Sequence, residues 1–182
     1  MEREVELARV DRVIDQVSSG VGAVVVVEGP AGIGKSALSA AVGAGALARG
    51  MGVLRAQVCE FEAEIAFVVA RQLFEPMLRV AAPRERRQLL EGQLLEGVTR
   101  VDARALGVEA GEPPADRFAA IHGLFWLCAN RAERSPLVVV DDVQWIDDPS
   151  LAWLGYLARR AGDLPVALVL GFALRGSRWG AE

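Results

Sequence analysis

The octapeptide "GPAGIGKS", residues 29 to 36, holds three glycines, a lysine and a serine, and Lys35 is the only lysine in a chain that otherwise uses arginine. Its spacing fits G-x-x-x-x-G-K-[ST]. Gly29, Gly32 and Gly34 let the backbone turn with N–H groups aimed inward, so that a chain of phosphates can sit in the nest. Lys35 offers a compact ammonium that reaches between two phosphates as a point charge. A guanidinium is planar and bulkier, and would meet those oxygens as a fork. That is a physical reason for one lysine among arginines. Ser36 follows with a hydroxyl suited to Mg²⁺. The expected nucleotide-binding stretch is Gly29, Pro30, Ala31, Gly32, Ile33, Gly34, Lys35, Ser36 and Ala37.

A second cluster stands far along the chain. "PLVVVDD", residues 136 to 142, ends an apolar run in two carboxylates, Asp141 and Asp142. Open α/β sheets bind ligands at the carboxyl ends of their strands. There Asp141 would hold Mg²⁺, directly or through water, opposite Ser36. Asp142 would orient or deprotonate an attacking water. Alone, the pair would read first as a turn or a helix cap. With the glycine loop it points to nucleotide binding, with Lys35 and Asp142 as the catalytic pair.

These residues need a strand before the loop and a helix after it, and the pattern supplies both. "AVVVVE" (23 to 28) is a continuous β-branched run, the mark of a strand buried on both faces. A helix should start in the loop and run through "SALSAAVGAGALA", ending at Gly50 or Gly52. Val5, Leu7, Val10, Val13, Ile14 and Val17 line one helical face before the first strand. "VLRAQV" (53 to 58) and "VALVLGF" (166 to 172) read as further strands, with helices expected over 64 to 80, 84 to 98, 116 to 131 and 149 to 162. Residues 99 to 115, with "GEPP" at 111 to 114, are the expected flexible connection. The alternation implies an α/β domain with a mainly parallel sheet.

Composition narrows the partners. The chain has 182 residues, is about half apolar and carries a net charge of −4. That argues against a surface that neutralises nucleic-acid phosphates, and no helix-turn-helix segment is recognisable. Cys59 and Cys128 lie apart in apolar surroundings and read as buried thiols; the lone His122 reads as a core residue. Trp126, Phe125, Leu124 and Leu127 also read as core. No apolar stretch reaches the ~18 residues of a membrane span. Nor does the acidic start resemble a signal peptide. A soluble cytoplasmic chain is expected.

Three further stretches carry a family resemblance. "EREVELARVDRVI" (2 to 14), "FVVARQLFEPML" (67 to 78) and "VVVDDVQWIDDPSLAWLGYLARR" (138 to 160) resemble the N-terminal ATPase domain of large LuxR-type transcriptional regulators. Those belong to the STAND signalling ATPases, a branch of the AAA+-related P-loop class. The resemblance implies a three-layer α/β/α P-loop fold with ATP and Mg²⁺ as cofactors. It places Arg3 and Glu4 near the nucleotide base. Gln144 to Asp147 become a segment that senses the γ-phosphate, and Arg175 falls near a sensor position. Trp145 reads either as a coupling residue beside the nucleotide or as a core anchor.

In that class the sheet order is 5-1-4-3-2. Only four strands are visible in this sequence, so residues 1–182 read as the N-terminal part of a single P-loop ATPase domain, without fifth strand and lid. The first strand would then form an open edge, and self-association through residues 23 to 28 is expected. The expected function is a nucleotide switch with slow ATP hydrolysis from a multidomain regulator, whose C-terminal domains would be its partners. The alternative is a stand-alone P-loop phosphotransferase acting on a small molecule.

Overall fold

The computed structural model describes residues 2–85, 117–131 and 136–173. Helix α1 (Glu2–Ser18) leads into β1 (Ala23–Gly29), α2 (Lys35–Ala48) and β2 (Val53–Gln57). After a 3-10 turn at Glu60–Glu62 come α3 (Val68–Val80) and α4 (Arg117–Arg131). Then follow β3 (Leu137–Asp141), a second 3-10 turn (Val143–Trp145), α5 (Asp148–Ala158), a third turn (Ala161–Asp163) and β4 (Ala167–Ala173). Among the described residues the four strands form one all-parallel sheet in the order β1-β4-β3-β2. This is the expected α/β architecture, and these four strands follow the 1-4-3-2 part of the expected order.

Side-chain alternation assigns each strand face to a helical layer. Leu137, Val139, Ala167 and Val169 point to one side and bury against Val10, Ile14 and Val17 of α1 and Val42 and Ala46 of α2. Val138, Val140 and Leu168 point to the other, against Leu73, Phe74 and Leu78 of α3, Leu124 and Leu127 of α4, and Trp153 and Leu157 of α5. Each fully buried Leu or Phe contributes roughly 1.5–3 kcal/mol by leaving water. All five residues of β3 are buried, as a central strand with helices on both faces requires.

The reading of β1 needs correction. Its valines are not covered on both sides: Val25 and Val27 pack under α1 and α2, whereas Val24 is 40% and Val26 59% exposed. The strand lies at the sheet margin among the described residues, and the opposite helical layer, centred on β3 and β4, does not reach it. Four more expectations shift. Helix α3 starts at Val68 rather than near 64, and α5 stops at Ala158 rather than 162. Trp126 is not core but 43% exposed, because α4 turns Leu124, Leu127 and Cys128 inward and puts Trp126 on its outer side. Cys59 is exposed as well, since it sits past the end of β2 where the apolar neighbours no longer cover it. Of the helix expected over 84–98 only the first two residues are described, and they are helical. The connection at 99–115 lies outside the described residues.

Candidate functional site

All four strands run the same way, so the loop after β1 and the acidic pair after β3 leave the sheet from one edge. Only β4 stands between them. Two strand spacings separate them by about 10 Å.

The loop is shaped as an anion cradle. Gly32 (φ 79°) and Gly34 (φ 97°) are left-handed, and Gly34 is the N-cap of α2. Only glycine takes these angles without strain, and alternating hands along a loop is how backbone N–H groups converge into a nest. Helix α2 begins at Lys35 with no side-chain cap and no acidic residue in its first turn. The N–H groups of that turn have no intrahelical acceptor, and the helix dipole adds positive potential there. Lys35 Nζ donates to the carbonyls of Gly29 and Pro30, both at 2.9 Å, which holds the ammonium against the loop. Pro30, Ala31, Gly32, Ile33, Ser36 and Ala37 are exposed around it.

The acidic side is built on other terms. Asp141 is only 4% exposed. Its Oδ1 accepts from Ser39 Oγ at 2.8 Å and its Oδ2 from Arg55 Nη2 at 3.2 Å. The serine touching Asp141 is thus Ser39, about one helical turn beyond Ser36. Gly171 in β4 makes room for the carboxylate: a Cβ there would stand 2.7 Å from Asp141 Oδ1. A glycine inside a strand often marks such a close approach, and this is the signal by which Gly171 could have been found in the sequence. Ser39 and Arg55 carry no local signal, since both reach Asp141 only through the fold.

Asp142 adopts φ 59°, ψ 40°, an uncommon left-handed conformation for a residue with a side chain. Its oxygens accept from Gln57 Nε2 (3.3 Å) and Gln144 Nε2 (3.1 Å). Gln144 in turn accepts from the backbone N–H of Ala173 at 3.0 Å, tying Asp142 to the end of β4. Beside Asp142 opens a cleft of about 500 Å³, lined by Gln57, Cys59, Glu60, Glu62, Gln72 and Trp145. Trp145 lines this cleft and packs against the large core cluster.

Asp147 acts at a different place from the one its sequence neighbours imply. It is 3% exposed and caps α5 by accepting from Ser150 N at 2.9 Å. It also accepts from Phe67 N (2.8 Å) and Val68 N (3.3 Å), which caps α3 from across the fold. This capture is why α3 begins at Val68. Arg3 and Glu4 lie in α1. Arg175 lies outside the described residues.

The donor set suits Mg²⁺ held together with a nucleotide. A hydroxyl and a carboxylate are hard oxygen ligands, and this ion is usually bound by one or two carboxylates plus phosphates and water. Among the described residues no group of three or more His, Cys, Asp or Glu could hold a metal by itself, so phosphates would have to complete the shell.

A glycine cradle feeding a helix, beside a buried carboxylate at the end of a parallel strand in the order β1-β4-β3-β2, defines a P-loop nucleotide-binding domain. The family comparison is more specific: the family model of the AAA ATPase domain matches residues 1–170, and the chain belongs to that family. No curated protein matches the chain. Among the described residues no helix is long and apolar enough to cross a membrane.

Proposed function

We propose that the chain is an ATP·Mg²⁺-binding switch domain with slow hydrolysis, working within a multidomain signalling or transcriptional regulator of the LuxR and STAND type. The observation that carries the switch reading is the hydrogen-bonded path Ala173–Gln144–Asp142–Gln57. It ties the acidic residue beside the nucleotide to the ends of β4 and β2. A change at the terminal phosphate would therefore pull on two elements at once, which is what a nucleotide-gated switch requires.

In this reading residues Gly29 to Ala37 wrap the phosphates, and Lys35 exchanges its loop carbonyls for phosphate oxygens. Ser36 and Asp141 hold Mg²⁺, which when bound neutralises charge developing on the phosphates. Asp142 orients the attacking water and takes its proton. Both of its oxygens already accept amide donors, so water must share them, and this supports slow turnover. Arg3 and Glu4 would serve the base, as the resemblance of residues 2 to 14 implies. The regulator context rests on the resemblance of residues 2 to 14, 67 to 78 and 138 to 160. DNA would be read by other domains of the regulator, and the cell compartment would be the cytoplasm. The exposed Val24 and Val26 on β1 support self-association through that strand, which light scattering would detect and a monodisperse monomer would refute.

The test is titration of a fluorescent ATP analogue with Mg²⁺ into the native chain and Lys35→Ala. Saturable binding lost in the variant supports the site. A hydrolysis assay with Asp142→Asn then separates switch from enzyme. The cleft beside Asp142 favours a second reading, a phosphotransferase whose acceptor enters there. That reading requires ADP release to rise at least severalfold with a hydroxyl or amine acceptor; a release rate indifferent to acceptors removes it.

A further inference from the structure

Arg55 is the exposed partner in the ion pair with the buried Asp141. On β2, Leu54 and Ala56 point into the core under α3, so Arg55 points to the other face, toward α2. Asp141 points to that face too, following Leu137 and Val139. Asp141 Oδ1 is enclosed, with Ser39 Oγ at 2.8 Å and the backbone of Gly171 beside it. Oδ2 faces a different surrounding. Its partner, Arg55, has a side chain 45% exposed, whereas that of Asp141 is 5% exposed. A cation arriving from solvent therefore meets Oδ2, and meets Arg55 on it.

We propose that Arg55 is a gate on the metal side of the nucleotide site, a positioning residue that acts through Asp141. The inference rests on the nucleotide-binding reading above. An ammonium or guanidinium and a divalent cation placed at one carboxylate oxygen repel each other, so the ion pair with Arg55 and a metal at Oδ2 exclude one another. Arg55 consequently sets the Mg²⁺ concentration at which the site loads. Arginine suits this task because its charge is permanent across physiological pH. Its half-exposed position suits it equally: the guanidinium returns to water when displaced, so the gate yields to metal. A fully buried pair would resist opening far more strongly. Release of Arg55 also removes a side-chain tie between Asp141 and β2, the strand that carries Gln57, a partner of Asp142, while the backbone pairing of β2 with β3 stays in place.

The experiment is a Mg²⁺ titration of fluorescent ATP-analogue binding by the native chain, Arg55→Met, Arg55→Lys and Arg49→Met. Met keeps a long stem without charge. Arg49 pairs with Asp11 and Asp15 on α1, so its loss controls for the general loss of one positive charge. The Mg²⁺ midpoint is expected to fall about three- to tenfold in Arg55→Met, in line with a pair that is buried on one side only. Arg55→Lys is expected between native and Met, and Arg49→Met within twofold of native. Affinity for the analogue without Mg²⁺ should not change. An unchanged midpoint in Arg55→Met, a raised one, or an equal fall in Arg49→Met overturns the gate. Should Arg55→Met fail to fold, Arg55→Lys alone decides, and a midpoint equal to native overturns the proposal. Nucleotide binding with no Mg²⁺ dependence in the native chain overturns the gate and leaves the nucleotide reading standing. No binding at all in the native chain removes both.

Discussion

The loop after β1 and the acidic turn after β3 share one edge of the sheet and are built on opposite plans. The loop is exposed, backbone-lined and held by glycine angles, with Lys35 anchored only to main-chain carbonyls. The turn is half-buried and held through side chains: Asp141 to Ser39 and Arg55, Asp142 to Gln57 and Gln144, Asp147 to the backbone N–H groups of Phe67 and Val68. A phosphate cradle must let a ligand approach its backbone closely, so it cannot be packed over. Carboxylates proposed to meet a metal and a water must be held in advance, and where one is buried, as Asp141 is, hydrogen-bond donors must hold it. The binding half is therefore expected to tolerate change that the acidic half does not.

The sharpest way to break this contrast is Asp147→Ala. It leaves N–H groups at the starts of two helices without their acceptor, at about 1 kcal/mol for each lost cap and more for donors left buried. A loss of roughly 3 kcal/mol is expected in urea unfolding, and a loss under about 1 kcal/mol would show that Asp147 does not hold the fold. Next is Gly171→Ala, whose methyl would meet Asp141 Oδ1 at 2.7 Å. Overpacking of this kind costs about 1–3 kcal/mol. Nucleotide affinity should fall with it, because the carboxylate must move. An unaltered melting temperature would deny that β4 and Asp141 are fitted to one another.

Lys35→Ala sharpens the other side of the comparison. Stability is expected to stay within about 0.5 kcal/mol of native, as for a half-exposed residue at a helix start, while saturable ATP-analogue binding disappears. A large loss of stability would mean that the ammonium is structural. The smallest effect concerns the thiols. Cys59 is exposed beside the cleft, whereas Cys128 is fully buried, and burial pushes its thiol from 9.0 up to about 12. One thiol should react with a disulfide reagent in the native chain and two after unfolding. The folded value exceeds the unfolded one, so this contribution to stability is complete below pH 9 and is lost as pH rises toward about 12.

The residues that could be read along the chain were those whose partners are neighbours. The glycine loop announces itself because nest, lysine and serine must be contiguous, and Asp141 and Asp142 because they end an apolar run. Ser39 and Arg55 are 102 and 86 residues from Asp141, and no spacing rule spans that distance. Cys59, Trp126 and the valines of β1 were misjudged for a related reason. Apolar neighbours in sequence do not say whether a second layer lies overhead. Asp147 was read with the γ-phosphate-sensing segment, yet its carboxylate serves two helix starts.

What the sequence by itself determined is the alternation of strands and helices, the phosphate cradle and the acidic strand end. Each depends on local backbone geometry and on periodicity, which neighbouring residues settle among themselves. Only the tertiary structure decided which oxygen of Asp141 is enclosed, which arginine meets the other, and which aspartate holds helices. Those outcomes depend on strand order and on the faces that packing brings together. In a parallel sheet ordered β1-β4-β3-β2 the residues that share a carboxylate come from strands and helices that are distant along the chain.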